Sequence, residues 1–192
     1  MPDFFEGSPA EYSWYPPDNK EKETKLNNFF STNGAPPKGA GRIPGLLKEI
    51  EKQYPEIQKW GVVGFCWGGK VVSLTSGDNS PYKAAAECHP AMVDPEDAEK
   101  IKIPLAMLAS KDEPAEDVKK FEEKLTGPKH FETFGDQIHG FSKLPFNRYP
   151  NQKLSADGVV LVAARADLED PRVKEEYERG YKTLLTFFGK HL

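Results

Sequence analysis

Apolar positions along the chain switch repeatedly between two periods. Glu21 to Phe30 sets Leu26, Phe29 and Phe30 on one side of a predicted helix, and Ile43 to Gln53 repeats helical spacing with Ile43, Leu46, Leu47 and Ile50. Tyr54-Pro55 ends the second helix, because the residue before a proline is pushed out of the helical region. Trp60 to Phe65 then predicts a strand, and Lys70 to Ser76 a helix started by the Gly-rich turn between them. The rhythm repeats. Tyr82 to Cys88 reads as a strand, Asp94-Pro95 as the capped start of a short helix, and Ile103 to Ala109 as a buried strand. Glu113 to Leu125 predicts a helix with Val118, Phe121 and Leu125 inward, and Lys129 to Phe134 a weakly alternating strand. Asp170-Pro171 opens a last helix striped by Val173, Tyr177, Tyr181, Leu184 and Phe188. Strands alternating with helices predict an α/β fold, a mainly parallel sheet with helices on both faces. The first 40 residues, rich in aromatic, Pro and Gly residues, read mostly as loop, and 142–162 as an irregular insertion or loop.

Composition narrows the class. A chain of 192 residues can bury one sizeable core, so a single domain over 1–192 is expected. Its 26 basic and 30 acidic side chains are interleaved and sum to a charge of -4, which supplies no field for a nucleic acid. No apolar run approaches the roughly 20 residues needed to cross a bilayer, and the first residues lack the pattern of a secretory signal. A cytoplasmic protein without membrane contact is the expectation. Two cysteines make no disulfide scaffold for this length, so reduced thiols are expected.

One thiol sits in a chemically informative pattern. Gly64-Phe65-Cys66-Trp67-Gly68 has the G-x-nucleophile-x-G form, between a predicted strand and a predicted helix. Such a turn brings two backbone segments together at its glycines and raises the central side chain above the sheet edge. The first N–H groups of the helix favour a thiolate there, and the Trp67 N–H is a candidate oxyanion donor. The competing reading is a buried structural cysteine beside glycines needed for packing. Asp112 and His139 follow, each in a loop beyond the carboxyl end of a strand, where open α/β sheets collect functional groups. His139 is the candidate base and Asp112 the candidate orienter of its ring. Taken singly, Asp112 would be a loop cap and His139 a turn residue. Glu113 is expected to enter the next helix and Asp136 to serve its own turn, so Asp112 is preferred to both. His89 is expected at a pocket edge, and Trp14, Tyr15, Trp67 and Phe141 either line an apolar pocket or belong to the core. Arg165 is a candidate for binding a substrate carboxylate, with a surface ion pair as the alternative. Cys88-His89 has no second pair to complete a zinc pattern, so neither metal nor cofactor is expected.

GFCWGG at 64–69, ECHPAMVDPEDAEK, LASKDE and DQIHGF together resemble the dienelactone hydrolase family, especially its fungal members. The resemblance extends over nearly the whole chain outside 142–162. It implies a three-layer α/β-hydrolase fold and hydrolysis of a small ester or lactone through Cys66, Asp112 and His139. It also implies arginines that hold the dienelactone carboxylate, for which Arg165 in AARADL is the remaining candidate. Two departures from the family pattern bear on activity. Met1 to Gly7 is similar to the loop after an early core strand, so the fold is expected to be N-terminally incomplete. The family's early strands, a Glu that switches on the cysteine and the second oxyanion N–H would then be missing. His139-Gly-Phe normally runs almost directly into a sequence resembling AARADL, whereas about 20 residues intervene here. An uncovered sheet edge favours aggregation or pairing with a second copy. A hydrolase is what the resemblance implies, and a poorly folded or inactive chain is the competing expectation that the missing strands set against it. The alternative function is a non-catalytic binding or assembly protein that uses the edge or the insertion. A thiol redox protein is disfavoured because no C-x-x-C pair is present.

Overall fold

The computed structural model describes residues 3–15, 17–142 and 166–192. Four parallel strands, β1 (Gly61–Phe65), β2 (Ala84–Cys88), β3 (Leu105–Ser110) and β4 (Lys129–Phe134), lie side by side in chain order. Phe65 pairs in register with Cys88, and Cys88 with Leu108, so the turns leaving the first three strands open on the same side. That alignment is what allows residues far apart in sequence to meet.

Alternation along the strands builds one core on each face of the sheet. Ala84, Ala86, Cys88, Ala106, Leu108 and Phe134 face Leu184 and Phe187 of α6 (Pro171–His191). Ala85, Leu105 and Met107 face the other way, against Val72 of α3 (Trp67–Thr75), Ala98 of α4 (Pro95–Ala98) and Phe121 of α5 (Ala115–Lys124). Helices therefore cover both faces, as the alternating pattern predicts. The caps also follow the sequence: Asp170 accepts the Arg172 N–H at 2.9 Å to start α6, and Asp94 accepts the Glu96 N–H at 3.0 Å to start α4.

The N-terminal region holds the helix expected at Glu21 to Phe30 and departs from expectation in the earlier start of the second helix. A 3-10 turn at Tyr12–Trp14 precedes α1 (Lys20–Ser31), which Asn19 caps by accepting the Lys22 N–H at 3.0 Å. The following helix, α2 (Pro36–Gln53), begins at Pro36 instead of Ile43. The Pro and Gly content that suggested loop is compatible with helix for identifiable reasons. Pro36 and Pro37 occupy the first helical positions, where a missing N–H leaves no bond unmade. At Gly39 a Cβ would lie 2.6 Å from the Trp67 ring, so glycine lets α2 press against α3. These segments form a third core of Phe5, Leu26, Phe29, Trp67 and Val71, with Phe4, Trp14 and Cys66 at its margin.

Among the described residues β1 pairs only with β2, and Val63 within it is 41% exposed. No helix among the described residues is long and apolar enough to cross a membrane. The insertion expected at 142–162 lies, beyond Ser142, outside the described residues.

Candidate active site

Cys66 stands between β1 and α3 with φ 53° and ψ -119°, a backbone conformation that an L residue rarely adopts. Local bonds hold it there. Its N–H donates to the Cys88 carbonyl at 3.1 Å, and its carbonyl accepts from Gly69 at 2.9 Å and Ala91 at 3.0 Å. The glycines explain how the turn closes. A Cβ on Gly64 would lie 2.2 Å from the Gly68 carbonyl oxygen, and one on Gly69 would lie 2.7 Å from the Pro90 Cβ, whereas a Cβ on Gly68 would meet open space. The steric requirement thus falls on Gly64 and Gly69, and Gly68 contributes its backbone to the close approach. Trp67 is the first residue of α3, so its N–H has no acceptor within the helix. Its ring points away into the aromatic core, where Nε1 donates to the Gly34 carbonyl at 2.7 Å.

His139 approaches from the turn after β4. Glu113 Oε1 lies 2.6 Å from His139 Nδ1, and the other Glu113 oxygen accepts the Ser110 N–H. The Asp112 carboxylate instead accepts the backbone N–H of His139 at 2.8 Å and is solvent-exposed. The carboxylate on the imidazole is therefore that of Glu113, where the sequence favoured Asp112. The reason is conformational. α5 does not start until Ala115, so Glu113 lies in the turn and not in the helix. Its longer side chain reaches inward, while Asp112 turns outward to fasten the loop. The proline after Glu113 was the available signal, since it disfavours helical geometry at the residue before it.

Burial alone would lower the His139 pKa, but its hydrogen bonds to Cys66 and Glu113 and their charges outweigh that effect, raising it from 6.5 to about 9. The imidazolium is thus the favoured form at neutral pH, between the Cys66 sulfur and the Glu113 carboxylate. Cys88 behaves differently: burial pushes its thiol up to about 12, which leaves it protonated. Of the two free cysteines, Cys66 is the one with access to solvent.

His89 and Phe141 are both fully buried, which corrects the pocket edge expected for His89 and assigns Phe141 to the core, the alternative to a substrate pocket. Phe141 stacks on Phe134 with ring centroids 4.6 Å apart, and His89 packs on the ring of His139 at 4.9 Å. Both support the site from inside the core. Arg165 lies outside the described residues. The sequence reading missed Glu87, a buried acid in β2 whose carboxylate lies 2.5 Å from Ser73 Oγ on α3. Burial, opposed by that hydrogen bond, pushes the Glu87 pKa up to about 8. Its position inside an apolar strand was visible, but the helix it meets was not. Among the described residues no group of three or more His, Cys, Asp or Glu side chains is arranged to hold a metal ion.

A family model described as the dienelactone hydrolase family matches residues 1–192. An AIM2 family protein of Schizosaccharomyces pombe is 32% identical over 193 residues, covering 98% of this chain and 69% of the relative. A human carboxymethylenebutenolidase homolog is 32% identical over 106 residues, spanning 52% of this chain and 43% of the human one. Among solved structures, a Klebsiella pneumoniae protein assigned as a dienelactone hydrolase matches with a TM-score of 0.59 at 16% identity, over 87% of this chain and 66% of that one. This last likeness concerns the fold alone.

Proposed function

This chain belongs to the dienelactone hydrolase family, and we propose that it hydrolyses small esters or lactones with Cys66 as nucleophile, His139 as acid and base, and Glu113 as the group that orients His139. The observation that carries this reading is the continuous line from Glu113 through His139 to Cys66, mounted on three turns at one end of the sheet. Glu113 occupies Nδ1, which leaves Nε2 as the nitrogen available to the thiol.

In the first half-reaction the Cys66 thiolate, paired with protonated His139, attacks the carbonyl carbon, and the carbonyl π electrons move onto oxygen, where the Trp67 N–H receives the charge. The intermediate collapses by breaking the carbon–oxygen bond of the alcohol, which leaves with the proton of His139. A thioester on Cys66 remains. Water then attacks it, His139 takes one water proton, and collapse of the tetrahedral intermediate releases the acid and restores the Cys66 thiolate beside protonated His139. Asp112 keeps the His139 backbone in place, an indirect role in contrast to the direct one first expected for it. Arg165 is retained as the candidate for a substrate carboxylate. The free thiols suit a reducing compartment such as the cytosol.

A second reading, a non-catalytic assembly protein, is favoured by one observation: β1 has a strand on only one side among the described residues, and Val63 is exposed there. A homo-oligomer joined at that edge is the form it would take. Steady-state hydrolysis of p-nitrophenyl acetate by residues 1–192 separates the two. Turnover abolished by Cys66→Ala supports the hydrolase; absence of turnover in a folded, self-associating chain supports assembly.

A further inference from the structure

Beyond the proposed nucleophile and base, and resting on that reading, a role remains to be assigned to His89. It follows β2 with φ 37°, in the left-handed region that favours glycine. Its N–H donates to the Leu108 carbonyl at 2.7 Å, and Ala91 in the same turn donates to the Cys66 carbonyl at 3.0 Å. One turn therefore grips both the neighbouring strand and the backbone of the nucleophile. The His89 ring, fully buried, makes a T-shaped contact with His139 at a centroid distance of 4.9 Å. Phe65 and Phe141 pack on it from other sides, each at 5.9 Å. His139 is thus faced by Cys66 from the elbow and by Glu113 from the turn after β3. Asp112 holds its backbone N–H, and His89 meets its ring from the turn after β2.

We propose that His89 is a positioning residue, whose packed ring holds the His139 imidazole in line between Cys66 and Glu113 and stabilises its protonated form. A cation over the face of an aromatic ring, within about 6 Å of its centroid, is attracted by the ring quadrupole. A ring already immobilised by Phe65 and Phe141 loses little further freedom in doing so. The strained backbone at His89 fits a residue whose placement matters more than its local conformational preference.

The test follows the imidazole Cε1–H resonances of the full chain by NMR; there are four histidines, and His139→Gln identifies the relevant one. In the unaltered protein His139 is expected to titrate near 9. His89→Leu is expected to lower that midpoint by about 0.5–1.5 pH units and to reduce kcat more than it raises KM. His89→Phe retains a ring and is expected to keep the midpoint within about 0.3 unit. An unmoved midpoint in His89→Leu, or an equal shift in both variants, overturns the proposal. If His89→Leu does not fold by circular dichroism, His89→Met replaces it under the same criteria, and a shifted midpoint in folded His89→Phe is by itself sufficient to overturn. Failure of the underlying hydrolase reading is separately visible, because ester turnover would then survive Cys66→Ala while the His139 titration still responds to the ring at position 89.

Discussion

Replacing Glu113 by Gln removes the negative charge beside His139 Nδ1 while nearly preserving its shape. The rise of the His139 pKa from 6.5 to about 9 corresponds to about 3 kcal/mol in favour of the imidazolium. Cys66 and Glu113 supply that preference against burial, so loss of one charge is expected to remove about half of it, or roughly one pH unit. Orientation is lost as well, since an amide does not select one imidazole tautomer as a carboxylate does; kcat is expected to fall by about 10²–10⁴. Asp112→Asn should cost less than about tenfold, because an amide oxygen can still accept the His139 backbone N–H. The assay is the pH dependence of kcat/KM with an activated ester. The unaltered enzyme should lose activity as pH rises through about 9, where His139 gives up its proton, and Glu113→Gln should lose it at lower pH. Stability carries the same sign. The raised pKa stabilises the folded chain fully below pH 6.5 and ceases to do so as pH rises through about 9, so Glu113→Gln should be most destabilising on the acidic side. If Asp112→Asn costs as much activity as Glu113→Gln, the assignment of the orienting carboxylate is refuted.

Two further substitutions probe the scaffold. Gly64→Ala places a Cβ against the Gly68 carbonyl oxygen and should open the elbow, with loss of both stability and Cys66 reactivity. Gly68→Ala meets open space and, inside a helix, should be neutral or stabilising by up to about 1 kcal/mol in a denaturant titration. A destabilised Gly68→Ala beside an unaffected Gly64→Ala would reverse the steric argument. Glu87→Gln should change the pH dependence of stability. With a folded pKa of about 8 against 4.5 for the free side chain, the native state holds a proton that the unfolded state releases, so stability falls as pH rises through that window. The cost is roughly 3 kcal/mol by neutral pH, and Gln should relieve it while leaving stability below pH 4 little changed. Equal pH slopes in the two proteins would contradict this.

The alternation of strands and helices was legible because the buried strands are short, apolar and bounded by turns, and because Asp94 and Asp170 announce their helices as caps. α2 was less legible. Its prolines and glycines resemble loop composition, and the contact that makes Gly39 useful comes from Trp67, distant in sequence. At the site, the pattern around Cys66 located the elbow, and chain order located the turns that carry Asp112 and His139. Which of two adjacent acids reaches the imidazole depends on side-chain direction within a turn, and spacing alone does not encode that. The burial of His89 and Phe141 likewise follows from the stacking of three turns and from α6 closing over the sheet. A residue adjacent to a functional turn is as readily part of its support as of its surface.

The most direct test of the central claim is the mass of the acyl-enzyme. Residues 1–192 are mixed with p-nitrophenyl acetate, quenched in acid within the first turnover and analysed intact and after proteolysis. One acetyl group is expected, on Cys66, absent from Cys66→Ala and unchanged in Cys88→Ala, since the Cys88 thiol is buried and protonated. Ester turnover that proceeds at the same rate in Cys66→Ala, with no acetyl group on Cys66 in the unaltered protein, would contradict it.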